Sequence, residues 1–236
     1  MNKRCGTIAI VGQPNVGKST MLNYFIGTKL SITSRKAQTT RYQLLGIHTL
    51  SETQYIFIDT PGYQLKYLNK LNKNLNKTVK QTLQDVDIIL FLIEPKEMTD
   101  IDLKILQMIP KKTPVILVIN KVDLLKDKSR LLKLIQTCKD YNCFEEIIPT
   151  SVKKENNLKE LLQSARKFLP EQEFIYEVDQ ITDKNERFLA AEIIREKIFR
   201  LTGQEIPYTV AVEIEKFEHD GDIRRIFAVI IVERDA

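Results

Sequence analysis

The stretch GTIAIVGQPNVGKST, Gly6 to Thr20, sets a short apolar run against a glycine-rich turn and the first residues of a helical pattern. Its second half, Gly12 to Ser19, matches G-x-x-x-x-G-K-[ST] in the context that motif requires, after a strand and before a helix. Gly12 and Gly17 let backbone N–H groups curl around phosphates, with Gln13, Pro14, Asn15 and Val16 forming the turn between them and Thr20 just beyond. Lys18 is expected to reach the β and γ phosphates, and Ser19 to offer its hydroxyl to Mg²⁺. Taken alone, the motif specifies a nucleoside triphosphate and no particular base.

Around this stretch the first 170 residues alternate amphipathic segments with six apolar runs: GTIAIVG, YQLLGIH, QYIFIDT, DIILFLIE, TPVILVIN and EEIIPTS. Continuous runs of that length belong to strands covered on both faces, which predicts an α/β fold with a mostly parallel six-stranded sheet and helices on both sides. Residues 171–184 are acidic and aperiodic and read as a linker. Residues 185–236 then hold one strong helix, ERFLAAEIIREKIFRLTG, closed by Gly203, and two strand-like runs around a D-G turn. A chain of 236 residues accommodates this division into domains 1–170 and 185–236.

Composition excludes several classes. Hydrophobic residues at 43% and charged residues at 28% are ordinary for a globular chain, and no apolar run approaches the roughly 18 residues that span a bilayer. Three cysteines without a C-x-x-C pair support neither a disulfide framework nor zinc, which fits a reducing cytoplasm, and His48 and His219 stand far from other ligand types. Charge is uneven. Residues 171–236 hold 9 Lys+Arg against 16 Asp+Glu, a net −7, while residues 1–170 hold 27 against 15, a net +12. Attraction to nucleic acid or anionic lipid therefore falls on the first part.

Three further motifs follow the phosphate loop in order. In DTPGYQ, Asp59 follows a strand and is expected to hold Mg²⁺ through water; Thr60 and Pro61 complete the turn, and the Gly62 N–H is aimed at the γ phosphate. Many guanine-nucleotide switches carry a water-orienting Gln right after that Gly, but here the position is Tyr63 and the Gln is displaced to Gln64. In NKVD, Asp123 can accept side by side from guanine N1–H and N2 amino groups, a pair adenine lacks. Asn120 would tie this loop to the phosphate loop, and the stem of Lys121 would cover a face of the base. Ser151, Val152 and Lys153 sit where a Ser-Ala-x loop would close over guanine, with Val in place of Ala. In AQTTRY, Thr39 and Thr40 both qualify to ligate Mg²⁺ and bond the γ phosphate; Thr40, beside the Arg, is favoured.

Between Lys66 and Leu83 a second pattern appears. Leu68, Leu71, Leu75, Val79 and Leu83 recur at helical spacing, and Lys66, Lys70, Lys73, Lys77 and Lys80 recur out of phase, the two sets roughly 150° apart at about 100° per residue. The apolar stripe is expected to be core. The lysine stripe is either a plain solvated face or an anion-facing surface for RNA or lipid.

The motifs GQPNVGKST, SRKAQTTR, DTPGY and NKVD, and above all the junction DQITDKNERFLAAEIIREKIFRLTGQEIPYTVAVEIEKF, resemble the Era family of bacterial GTPases over nearly the whole chain. The resemblance implies a Ras-like GTPase domain joined to a KH domain, GTP/GDP and Mg²⁺ as ligands, and small-subunit ribosomal RNA and the 30S particle as partners. It further implies a slow switch in small-subunit assembly, cytoplasmic or peripheral on the inner membrane, working as a monomer. Lys18, Thr40 and Gly62 are the residues it places at the reaction, with Ser19, Thr40 and Asp59 on Mg²⁺. Relatives with Asn at the position of Asn15 use it to hold K⁺ beside the phosphates, so a K⁺ site at Asn15 is a further expectation. A hydrophobic residue at the Tyr63 position also fits that family.

One departure bears on the RNA partner. A KH module grips nucleotides with a G-x-x-G loop, and none occurs in this sequence, so the helix and hairpin are expected to be the first part of that fold, either in a fragment of a longer product or in a shortened protein whose RNA binding is reduced or lost. Two alternatives of other classes stay open: a guanine-nucleotide module that binds without hydrolysing, and a P-loop ATPase or kinase, against which NKVD argues.

Overall fold

The computed structural model describes residues 2–32, 44–61, 63, 70–201, 210–221 and 223–232, with backbone alone for 70–75. At its centre lies β1 (Arg4–Gly12), paired in parallel with β3 (Thr53–Asp59) on one side and β4 (Ile88–Ile93) on the other. β5 (Val115–Ile119) and β6 (Glu146–Pro149) extend the parallel run, while β2 (Leu44–Leu50) closes the opposite edge antiparallel to β3. The order β2-β3-β1-β4-β5-β6 is the mostly parallel six-stranded sheet expected from the apolar runs.

Every residue of β4 and β5 is buried, because helices cover both faces. Alternation along β1 sends Ile8 and Ile10 to one core and Ala9 and Val11 to the other. On the first face α1 (Lys18–Ile26) contributes Met21, Leu22 and Phe25, and α5 (Leu158–Arg166) contributes Leu158, Leu161, Leu162 and Ala165. On the second face α2 (Lys70–Thr82) contributes Val79, α3 (Asp100–Met108) Ile105, and α4 (Lys128–Lys139) Leu134 and Cys138. Each such fully buried Leu, Ile or Phe side chain stabilises by about 1.5–3 kcal/mol relative to exposure. In α2, Val79 and nearby Leu83 are buried while Lys77 and Lys80 are exposed, the phase read from sequence; Lys66 and Leu68 lie outside the described residues.

The acidic segment after α5 is held along the sheet edge. Gln54 accepts from the N–H groups of Ile175 and Tyr176 at 3.0 Å each, Ile181 accepts from Ile47 N, and Thr182 donates to Leu45 O at 2.7 Å. α6 (Glu186–Leu201) follows, with Phe188 and Leu189 packed on the first core; Gly203, expected as its cap, lies outside the described residues. Glu196 of this helix is 1% exposed and is neutralised by Lys29 and Arg200, each at 2.5 Å. β7 (Val210–Asp220) and β8 (Ile223–Val232) form an antiparallel hairpin that turns at Gly221, φ 60°.

Cys5 and Cys138 are buried, Cys143 is exposed, and all three are free thiols. His48 is half-buried, and burial lowers its pKa. Among the described residues no helix is long and apolar enough to cross a membrane.

Candidate nucleotide site

The motif residues gather at the carboxyl ends of β1, β3, β4, β5 and β6, where the strands of an open α/β sheet leave a crevice. After β1 the chain turns sharply, with Gly12 at φ 149°, Asn15 at φ 65° and Gly17 at φ 108°. A Cβ at Gly12 would stand 2.3 Å from Leu92 O, and one at Gly17 would stand 2.3 Å from Asn120 Nδ2. Both positions therefore require glycine for space as well as for conformation.

Lys18 is 6% exposed, and its ammonium donates to the carbonyls of Gly12 at 3.2 Å and Gln13 at 2.8 Å. Burial lowers its pKa to about 8, with the Asp59 carboxylate acting in the opposite direction. Asp59, fully buried, accepts on Oδ2 from Ser19 Oγ at 2.9 Å and from Ser31 Oγ at 2.6 Å. A hydroxyl and a carboxylate meeting on one oxygen form a hard-donor set of the kind Mg²⁺ prefers, so Ser19 and Asp59 fit that ion. Ser31 is set in place by Asn23, which accepts from Leu30 N at 3.0 Å and Ser31 N at 2.9 Å and donates to Ser31 O at 2.8 Å.

Beyond Asp59, Thr60 donates to Ile10 O at 2.8 Å and Pro61 is buried, which fixes the exit from β3. Tyr63 packs against the second core, so its ring serves packing. Thr39, Thr40, Gly62 and Gln64 lie outside the described residues.

On the base side, Asn120 joins three loops: its Nδ2 donates to Val16 O at 2.8 Å, and its Oδ1 accepts from Val152 N at 3.3 Å and the Thr150 hydroxyl at 3.5 Å. Lys121, at φ 62°, extends back to donate to Asn15 O at 2.5 Å and to pair with Glu94 at 2.7 Å. Asp123 is exposed at the mouth, where Ser151 Oγ donates to its Oδ1 at 2.6 Å. Ser151 itself is fully buried and Lys153 exposed. Val152 places its side chain in the first core, so the methyl groups that distinguish it from Ala point away from the base-side opening.

Several participants escaped the motif reading. Ser31 and Asn23 carried no signal, and neither did Glu94. Gln13 was expected to contribute only as part of the turn, but its side chain reaches the start of α3 and bonds Thr99 and Asp102. The spacing Thr99-x-x-Asp102, a helix-start signature, was the available clue.

Comparison with known proteins agrees with this geometry. Residues 7–121 match the family model of 50S ribosome-binding GTPases. GTPase Era of Nitrosomonas eutropha is 50% identical over 98% of this chain and 78% of its own length, and GTPase Era of Chromobacterium violaceum is likewise 50% identical over the same shares. Among solved structures, a tyrosine-to-alanine variant of Aquifex aeolicus Era bound to GDP·AlF4⁻ superposes with TM-score 0.91 at 42% identity, covering 98% of this chain and 80% of that one. An Era in complex with MgGDPNP and nucleotides 1506–1542 of 16S ribosomal RNA superposes equally well, at 0.91 and 42% identity over 99% of this chain and 80% of that one.

Proposed function

The chain belongs to the Era family of GTPases, and from that premise we propose that it binds GTP with Mg²⁺, hydrolyses it slowly and acts as a switch in small ribosomal subunit assembly. The observation that carries the reading is the bracing of the phosphate loop by Asn120, which also holds the Thr150–Val152 loop, while Asp123 waits at the opening between them. One residue thus couples the phosphate cradle to the base pocket.

In this reading the N–H groups from Gly12 to Thr20 surround the phosphates, and Lys18 moves its ammonium from the Gly12 and Gln13 carbonyls onto phosphate oxygens. Asp123 takes the guanine donors, and the stem of Lys121 lies against the base. Ser19 and Asp59, together with Thr40, hold Mg²⁺, which when bound offsets the negative charge of the β and γ phosphates. Asn15 holds K⁺. Because Tyr63 is committed to core packing, the attacking water falls to the backbone around Thr40 and Gly62. The water oxygen bonds to the γ phosphorus as the bond to the bridging β–γ oxygen breaks, and GDP leaves with the electron pair.

Small-subunit ribosomal RNA and the 30S particle are the proposed partners, since the 16S fragment is bound by a relative that superposes on this chain. RNA engagement is assigned to the helix and hairpin as part of a complete KH domain, with the protein cytoplasmic, or peripheral on the inner membrane, and monomeric.

The test is multiple-turnover GTP hydrolysis by the purified chain, with Lys18→Ala as control and ATP as competitor. Turnover well above the spontaneous rate, lost in Lys18→Ala and untouched by excess ATP, supports the reading. Tight GTP binding with turnover at the spontaneous rate would identify a binding module instead, the role that the absence of Gln after Gly62 allows.

A further inference from the structure

We propose that the side chain of Gln13 is a positioning residue for hydrolysis, fastening the outer limb of the phosphate loop to the first turn of α3; the assignment rests on the GTPase reading above. The Gln13 amide carries two N–H groups, and each has an acceptor: Thr99 Oγ1 at 2.7 Å and Asp102 Oδ2 at 2.6 Å. Thr99 caps α3, and Asp102 closes the capping box by accepting from Thr99 N at 2.9 Å and from the Thr99 hydroxyl at 2.9 Å. Asp102 Oδ2 therefore gathers three donors, one of them from a residue 89 positions away.

A capping carboxylate performs its local task at the surface, where water serves its second oxygen. Asp102 is 2% exposed, and its Oδ1 is buried with no hydrogen-bond partner among the described residues. Burying a carboxylate in that condition is unfavourable, so capping alone does not account for it. What the burial secures is the contact with Gln13.

That contact acts on a particular part of the loop. The carbonyl of Gln13 is one of the two seats of the Lys18 ammonium, and two residues on, Asn15 holds its left-handed conformation with its own carbonyl bonded to Lys121. The limb from Gln13 to Asn15 is thus pinned at one end by α3 and at the other by Lys121. The inner cradle is pinned separately, through Val16 O and Asn120. Loss of the Gln13 amide would loosen the limb that places Asn15 while leaving the inner N–H groups and the base pocket in place, so turnover should suffer more than nucleotide affinity.

The test compares wild type, Gln13→Ala, Gln13→Lys and Gln13→Glu in the full chain, measuring kcat and KM for GTP and the Kd for GDP. In Gln13→Ala, kcat should fall about fivefold while the GDP Kd stays within about twofold. Gln13→Lys should return kcat to within about twofold of wild type, since an ammonium can donate to the same carboxylate. Gln13→Glu should be at least as slow as Gln13→Ala, because two carboxylates would then face each other. Full kcat in Gln13→Ala, a folded Gln13→Lys no faster than Gln13→Ala, or equal losses in kcat and GDP affinity would each overturn the Gln13 assignment alone. Wild-type turnover at the spontaneous rate would remove both the assignment and the GTPase reading.

Discussion

Ser31 donates its hydroxyl to Asp59 Oδ2 at 2.6 Å, on the same oxygen that Ser19 reaches at 2.9 Å. In the proposed reading Ser19 turns to Mg²⁺ when the ion is bound, while Ser31 stays on Asp59 and helps to keep the buried carboxylate aimed. Residues that orient a metal ligand matter nearly as much as the ligand itself. Ser31→Ala is therefore expected to weaken Mg²⁺ binding by the nucleotide complex about tenfold, read as a shift in the Mg²⁺ concentration that half-slows GDP release. An unshifted Mg²⁺ titration would show that Asn23 and the strand hold Asp59 without help.

Lys18 supplies a pH signature. Burial lowers its pKa from 10.5 to about 8, against the pull of Asp59. With the folded value below the unfolded one, the unfolded chain binds more protons between about pH 8 and 10.5, so the stability contribution of this residue rises with pH through that window and is lowest below it. Phosphates invert the balance by favouring the ammonium. GDP binding should then take up about half a proton at pH 8 and close to none at pH 7, which calorimetry in buffers of differing ionisation enthalpy can resolve. Uptake that does not grow between these pH values, or that persists in Lys18→Met, would assign it to another group.

Asp123 is held at the opening by Ser151, with a carboxylate that can only accept. Guanine presents two donors to it, whereas xanthine presents one donor and one carbonyl. Asn at this position offers one acceptor and one donor, the complement of xanthine. Asp123→Asn should lower GDP affinity about a hundredfold and make XDP the better ligand, as measured by competition against a fluorescent nucleotide. Retained preference for GDP would move base recognition away from Asp123.

The parts of this site that were legible in sequence share one property: their chemistry demands particular residue types at short, fixed spacing. In the proposed reading a phosphate requires Gly12, Gly17 and Lys18 together, and a base and a neighbouring loop require Asn120 and Asp123. The buried runs of β4 and β5 were legible for a similar reason, since a strand covered on both faces has no polar alternation to hide it. What stayed hidden depends on pairs far apart in the chain. Ser31 meets Asp59 across 28 residues and Gln13 meets Asp102 across 89, and no local pattern announces either contact. Arg195 and Glu196 show the same limit in α6: charged residues in a helix read as solvent-facing, yet these two are 2% and 1% exposed. Val152, read from sequence only as a replacement for Ala in the base-closing loop, puts its side chain into the first core.

Glu196 leads to a stability prediction. Its side chain is 2% exposed and is paired with Lys29, near the end of α1, and with Arg200 one turn along α6. Removing Lys29 leaves a buried carboxylate with one partner instead of two. Lys29→Ala should destabilise the chain by about 1 kcal/mol in urea unfolding, since Arg200 remains and Lys29 is itself partly in solvent. Lys3, paired with Glu173 at 44% and 81% side-chain exposure, provides the contrast. Lys3→Ala should change stability by no more than about 0.5 kcal/mol, and equal effects of the two substitutions would show that burial of Glu196 adds nothing.

In the proposed reading, Asn15 decides how charge is met in hydrolysis. It sits exposed at the tip of the phosphate loop in a left-handed conformation, and Tyr63, packed on the core, cannot stand in for the missing Gln. Switches that lack an arginine finger need another positive charge beside the phosphates, and such a charge is commonly worth several powers of ten in rate. A monovalent cation at Asn15 supplies it in this reading. GTP turnover should therefore be at least about tenfold faster in K⁺ than in Na⁺ buffer at equal ionic strength, and Asn15→Ala should abolish that difference while GDP affinity holds within about threefold. Gln64→Ala should leave the K⁺-stimulated rate unchanged, because Gln64 stands one residue beyond the position of the usual water-orienting Gln. Equal rates in the two salts would return the charge to Lys18 and Mg²⁺ alone, and a rate lost in Gln64→Ala would make Gln64 the water-orienting residue after all.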